Sequence, residues 1–274
     1  MTSKTKLICA LDLLFLFLLL LSGATDGAIG DVIYYLAFLV PILIGFYFIC
    51  APEDKNEATE NTLKAALSDF KISKRGAILS LPIVFPAISV ILLLSYLTSL
   101  VLGIFGYEND VAFDMPFLSA VISHALVPAV LEELLFRFVP IKLLKEERKS
   151  ALVLSSLMFA FAHANLFQIP YALAAGIIFA FLYIMTGSIL SSILLHFLNN
   201  LISLISIYTE KDGIIISAVT VGALISFAVI FALCKSYSGV IKDLIGDGKV
   251  KIERIAFVFI GVSAFLAITS LIFG

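Results

Sequence analysis

The chain has 274 residues, 61% hydrophobic and 14% charged, against roughly 45–50% and about 25% in an ordinary soluble domain. A mean hydropathy of +1.13 excludes a soluble globular fold, and at about 20 residues per membrane-spanning helix the length is nearly used up by spans. A net charge of −2, from 18 basic against 20 acidic residues, excludes the basic face on which nucleic acid collects.

Long apolar runs in chain order predict an all-α polytopic transmembrane helix bundle of about 8 to 9 spans. The first runs are Leu7 to Ala24, Val32 to Cys50 and Ala77 to Gly106, the last containing Pro82 and Pro86, which predict a bend. The first is read as a retained span rather than a signal peptide, because its leucine run is long for the apolar part of a leader. Next come Phe117 to Leu143, with charges in its middle, then Ala151 to Phe167, Tyr171 to Gly187 and Ser188 to Tyr208. Ile214 to Cys234 and Ile255 to Phe273 complete the set. The whole chain, 1–274, reads as one integral membrane domain. Cys9, Cys50 and Cys234 are an odd number without CxxC spacing and read as space-filling residues.

Basic residues test this segmentation independently, since cytoplasmic loops hold the excess of Lys and Arg. They fall at the amino terminus (Lys4, Lys6) and in the second (Lys55, Lys64, Lys71, Lys74, Arg75), fourth (Lys142, Lys145, Arg148, Lys149) and eighth connections (Lys235, Lys242, Lys249, Lys251, Arg254). The exceptions are Lys211 and Arg137. The alternation predicts a cytoplasmic amino terminus and a carboxyl terminus outside. Within the second and eighth connections, apolar faces around Leu63, Ala66, Leu67 and Phe70, and around Val240, Ile241, Leu244 and Ile245, predict amphipathic helices on the membrane surface.

Ionisable groups inside a membrane are costly and therefore mark function. Segment four holds Glu132, Glu133 and Arg137, segment five His163, and segment seven His196 with Asn199 and Asn200. Glu133 and Arg137 are four apart and nearly eclipsed on a helix, whereas Glu132 is five from Arg137 and well separated in angle. Arg137 is thus expected to pair with Glu133, leaving Glu132 on an adjacent face as an available general base. Pro128 cannot donate to the carbonyl of His124 and is expected to bend the helix one turn before the carboxylates. Phe159 and His163 share one face, as do His196 and Asn200. Counted from the cytoplasmic ends, Glu132, His163 and His196 fall at similar depths, about 12–18 Å. His124 reads as a packing residue.

Glu132-Glu133-Leu134-Leu135-Phe136-Arg137 resembles the EExxxR motif of the CPBP intramembrane glutamic endopeptidases, the family of CAAX proteases and bacteriocin-processing enzymes. Phe159 to His163 resembles its FxxxH motif and His196 to Asn200 its HxxxN motif, in the same order on separate predicted helices. The resemblance covers roughly 117–208, the expected catalytic core. It implies an intramembrane endopeptidase in which Glu132 and His163 activate water, His196 and Asn200 donate to the oxyanion, and Glu133 and Arg137, with Phe159, support the site. It implies no cofactor and no metal. The expected partners are the lipid bilayer and a membrane-bound, prenylated or other peptide substrate, which CAAX members cut at the cytoplasmic leaflet.

Two alternatives use the same residues. Glu132, His163 and His196 could be three zinc ligands with water as the fourth, although HExxH is lacking. A proton- or ion-coupled transporter would use the buried Glu, Arg and His as a relay, but its groups should face both leaflets in turn, whereas these converge at one depth. A non-catalytic scaffold would not need the set at all.

Overall fold

A computed structural model describes residues 3–51, 59–72, 74–107 and 113–209, with a few isolated positions beyond 220. The expected segments Ile214 to Cys234 and Ile255 to Phe273 fall almost wholly outside the described residues, as does the amphipathic stretch around Val240. The described chain is helical throughout. It comprises α1 (Ser3–Gly23), α2 (Gly27–Cys50), α3 (Thr59–Leu67), α4 (Lys74–Ile104), α5 (Phe117–Leu143), α6 (Arg148–Ala162), α7 (Ile169–Thr186) and α8 (Ile189–Thr209). Among the described residues six helices are long and apolar enough to cross a membrane, namely α1, α2, the Pro86–Ile104 part of α4, α5, α7 and α8. The chain is an integral membrane protein.

The fifth expected segment, Ala151 to Phe167, is shorter than its hydropathy suggests. Helix α6 stops at Ala162 after 15 residues, about 22 Å of helix against a hydrocarbon core of about 30 Å. The stop is local. Ala164 takes a left-handed conformation (φ 45°), and the Asn165 side-chain oxygen accepts the Phe167 N–H at 2.8 Å, closing a turn. His163 therefore stands at a helix end in the interior of the bundle rather than on a continuous span.

Helix α4 continues through Pro82 and Pro86. In α5 two turns widen to π geometry, Val121–Leu126 before Pro128 and Leu134–Phe138 before Pro140. The N–H of Val127 reaches back five residues to Ile122, and that of Val139 to Leu134. Wider turns accommodate the missing proline donors without ending the helix. The second of these turns carries Arg137.

Helix–helix spacing is set by two small residues. A Cβ at Gly45 of α2 would come within 2.6 Å of Val139 of α5, and one at Gly176 of α7 within 3.0 Å of the Ser156 Cα of α6. The absent side chains let backbones approach, as in membrane bundles generally. Phe136, Phe138, Leu154, Met158, Phe179 and Leu182 fill the resulting core.

The second and fourth connections meet at one end of the bundle. There Lys142 lies 2.8 Å from Asp69 and donates to the Ala65 carbonyl at 3.1 Å, the Tyr183 hydroxyl donates to Asp69, and the Thr62 hydroxyl donates to the Cys50 carbonyl at 2.7 Å. Phe70 packs on Phe138 with ring centroids 5.2 Å apart. The amphipathic second connection is thus docked on the ends of α2, α5 and α7, with Ala66 buried and Leu63 and Leu67 left exposed.

Candidate active site

Glu133 and Arg137 are fully buried, and Arg137 Nη1 lies 3.3 Å from Glu133 Oε1. The contact is an ion pair without hydrogen-bond alignment, because no Arg137 nitrogen has a hydrogen-bond acceptor among the described residues. The guanidinium carbon instead lies over aromatic rings, 3.8 Å from the Phe159 ring centre and 5.5 Å from that of Phe179. A desolvated cation over a ring face is held by the ring quadrupole. This gives Phe159 a role that its place in the sequence left open.

Glu133 has two further partners. His196 Nδ1 is 3.0 Å from its Oε1, and Ser192 donates its hydroxyl to Oε2. A carboxylate only accepts, so Nδ1 of His196 carries the proton and Nε2 is turned outward. Nε2 faces Glu132 Oε2 at 3.7 Å, and the Glu132 side chain is 17% exposed. The His196 ring is stacked on Phe179 at 4.9 Å and meets the edge of Phe159 at 5.7 Å.

His163 is fixed by its own helix. Its Nδ1 lies 2.8 Å from the Phe159 carbonyl oxygen, which can only accept, so Nδ1–H donates and Nε2 keeps its lone pair. The early end of α6 frees the ring to turn this nitrogen away from the helix. On α8, Asn199 Nδ2 donates to Asn200 Oδ1 at 3.3 Å, leaving the Asn200 amide N–H groups for another acceptor.

Glu132, Phe159, His163, His196, Asn199 and Asn200 line one cavity of about 520 Å³. Glu133 and Arg137 do not reach it and sit directly behind. His124 also lines it, its ring tilted against Phe113 with centroids 4.6 Å apart. The sequence reading missed Ser192 and Phe179 as contributors to the site, and named Asn199 without giving it a role. Ser192 could have been found, because it lies four residues before His196 on the same helical face; Phe179 is one of 24 phenylalanines with no distinguishing neighbour. Asp12 was also passed over. It is buried in α1, and its Oδ2 has no hydrogen-bond partner among the described residues. No three His, Cys, Asp or Glu side chains among the described residues are grouped to hold one metal ion.

Residues 114–202 match the family described as Type II CAAX prenyl endopeptidase Rce1-like. Over this stretch, about a third of the chain, the sequence is similar to the CAAX-protease family. The three motifs all lie inside the matched stretch, and the cavity is formed largely by it. No curated protein and no solved structure matches the chain. A protease-family match set within apolar helices supports a membrane protease, a hydrolase of peptide bonds.

Proposed function

We propose that the protein is a glutamate-dependent intramembrane endopeptidase acting on a membrane-associated or lipidated peptide, for which a prenylated tail is the substrate that the family description suggests. The observation that carries this reading is the meeting of an outward-turned carboxylate, two imidazoles of assigned tautomer and a carboxamide around one cavity.

The Glu132 carboxylate takes a proton from water while the lone pair on His163 Nε2 holds the water's other hydrogen. The water oxygen bonds to the scissile carbonyl carbon, and the C=O π pair moves onto oxygen. That oxyanion accepts from the Asn200 amide and from His196 Nε2. His196 can donate there only as the imidazolium, because its other proton is committed to Glu133; the adjoining carboxylate supports that charge. Collapse breaks the C–N bond, and the proton held by Glu132 passes to the leaving amine. The acid's remaining proton passes to His163 Nε2, so the products are a carboxylate and a free amine.

Phe159 and Arg137 keep Glu133 and the two histidines in register. The membrane is entered with the amino terminus and the basic end cytoplasmic, as the loop charges require.

Purified protein with Glu132→Gln or His163→Ala is expected to lose peptide cleavage by about 10²-fold or more, the usual contribution of a positioned base, while remaining folded in detergent. Wild-type turnover in either variant overturns the mechanism. Cleavage is expected to survive strong zinc chelation; loss on chelation with rescue by stoichiometric zinc would replace it with metal hydrolysis.

A further inference from the structure

The mechanism leaves one histidine of the cavity unused. His124 lines it together with Glu132, His163 and His196. Its side chain is exposed, its ring leans on Phe113, and neither ring nitrogen has a hydrogen-bond partner among the described residues.

The position of His124 follows from the helices. His124, Pro128 and Glu132 recur every four residues on α5 and all line the cavity, and Asn200, Ser203 and Ile207 of α8 do the same at spacings of three and four. Helix α8 packs antiparallel along Val121–Glu133 of α5, with Ala120, Ala125 and Leu204 buried beside them. The two rows thus border one arm of the cavity, with Glu132 at one end and His124 at the other. At the His124 end Phe113 is stacked on Tyr208 at 6.3 Å, and the Tyr208 hydroxyl donates to the Met115 carbonyl at 2.7 Å. The ring that supports His124 is therefore itself held in place.

Eight residues of helix separate His124 from Glu132 by about 12 Å, and an extended peptide covers that distance in between three and four residues at about 3.3 Å each. Among the described residues that line the cavity there is no Lys or Arg, and Nδ1 of both His163 and His196 is committed to a protein acceptor. An imidazole offers one N–H when neutral and two when protonated, and His124 has no protein acceptor to spend them on. The matched family is described by a CAAX peptide, in which three residues follow the lipid-bearing cysteine and the last carries a free carboxylate. A bond broken beside that cysteine, at Glu132, puts the carboxylate about 10 Å along the chain.

We infer, on the protease reading of the same cavity, that His124 is a specificity-determining residue that holds the free carboxylate of a substrate tail ending three residues beyond the scissile bond. Glu132, at the other end of the arm, repels a carboxylate, so the tail is bound in one direction.

The test uses the full chain in detergent and a geranylgeranylated peptide ending in Cys-Ala-Ala-Leu, with either a free carboxyl terminus or a terminal amide. Wild-type protein is expected to cut the acid with a kcat/KM about tenfold above that of the amide, the effect of one hydrogen bond to a charged group. That preference is expected to vanish in His124→Ala and to be kept in His124→Lys, which restores a donor. It is also expected to vanish when the tail is lengthened by three residues, because the carboxylate then lies beyond His124. A wild-type protein without the preference overturns the inference, and so does a preference that survives in His124→Ala or does not depend on tail length. Binding of the uncut peptides to Glu132→Gln protein, read by fluorescence anisotropy, repeats the comparison without turnover: the acid is expected to bind about tenfold more tightly than the amide, and equally tightly once His124→Ala is added. Equal binding of acid and amide before that addition, or no binding of either, overturns the inference. Selective binding without cleavage by the wild type would instead sink the protease reading and leave the carboxylate site standing, so the two fail separately.

Discussion

At the residue scale the two adjacent glutamates do opposite things, and their environments explain why. Glu133 is enclosed and contacted by Arg137, His196 and Ser192; Glu132 reaches the cavity. On the proposed mechanism Glu133 is a positioning residue that acts through His196. Ser192→Ala removes one of its donors and is expected to lower stability by about 1 kcal/mol, with a fall in kcat and little change in KM, since the His196 ring loses orientation rather than the substrate losing contact. Ser192→Thr should restore kcat if the hydroxyl is what matters. Phe159→Leu is expected to cost about 2 kcal/mol or more, because Arg137 is then a desolvated cation without its ring face; Phe159→Tyr should retain most of that stability. Thermal unfolding in detergent beside steady-state kinetics reads both effects. Had Arg137 been held by aligned hydrogen bonds to Glu133 alone, Phe159→Leu would cost no more than ordinary loss of packing.

At the element scale, α6 is short so that His163 can stand at its end, and its distance from α7 is set by Gly176. Gly176→Ala places a methyl 3.0 Å from the Ser156 backbone, which cannot move as the tip of a flexible side chain could. The helices must separate, with an expected loss of about 1–3 kcal/mol and reduced activity, since α6 carries both Phe159 and His163. Unchanged melting temperature and turnover would show that the two helices slide freely. At the basic end, Tyr183→Phe removes one donor from Asp69 and is expected to lower stability by about 1 kcal/mol while leaving kcat unaltered, because the cap lies on the far side of the buried pair from the cavity. Loss of kcat at normal stability would mean that the cap communicates with the site.

At the scale of the whole molecule, hydropathy and basic-residue alternation led to a membrane bundle, and three spaced motifs led to its hydrolytic core. These features are local: apolar length, a charge in a loop, and side chains four residues apart on one helix face are written in consecutive residues. The pairing of Glu133 with Arg137 was legible for the same reason. Only the tertiary structure decided how α5, α6, α7 and α8 combine. The Arg137 cation rests on Phe159, the His196 tautomer is set by Glu133 across two helices, α6 ends early at Ala162 before the left-handed Ala164, and side chains of several helices line one cavity. Each of these depends on atoms far apart in sequence or on a backbone turn that hydropathy cannot register. In an apolar chain with 24 phenylalanines, nothing in the local pattern distinguishes the ring under a buried cation from those that face lipid. That choice is made by packing, where close approach of helices decides which neighbours a side chain meets.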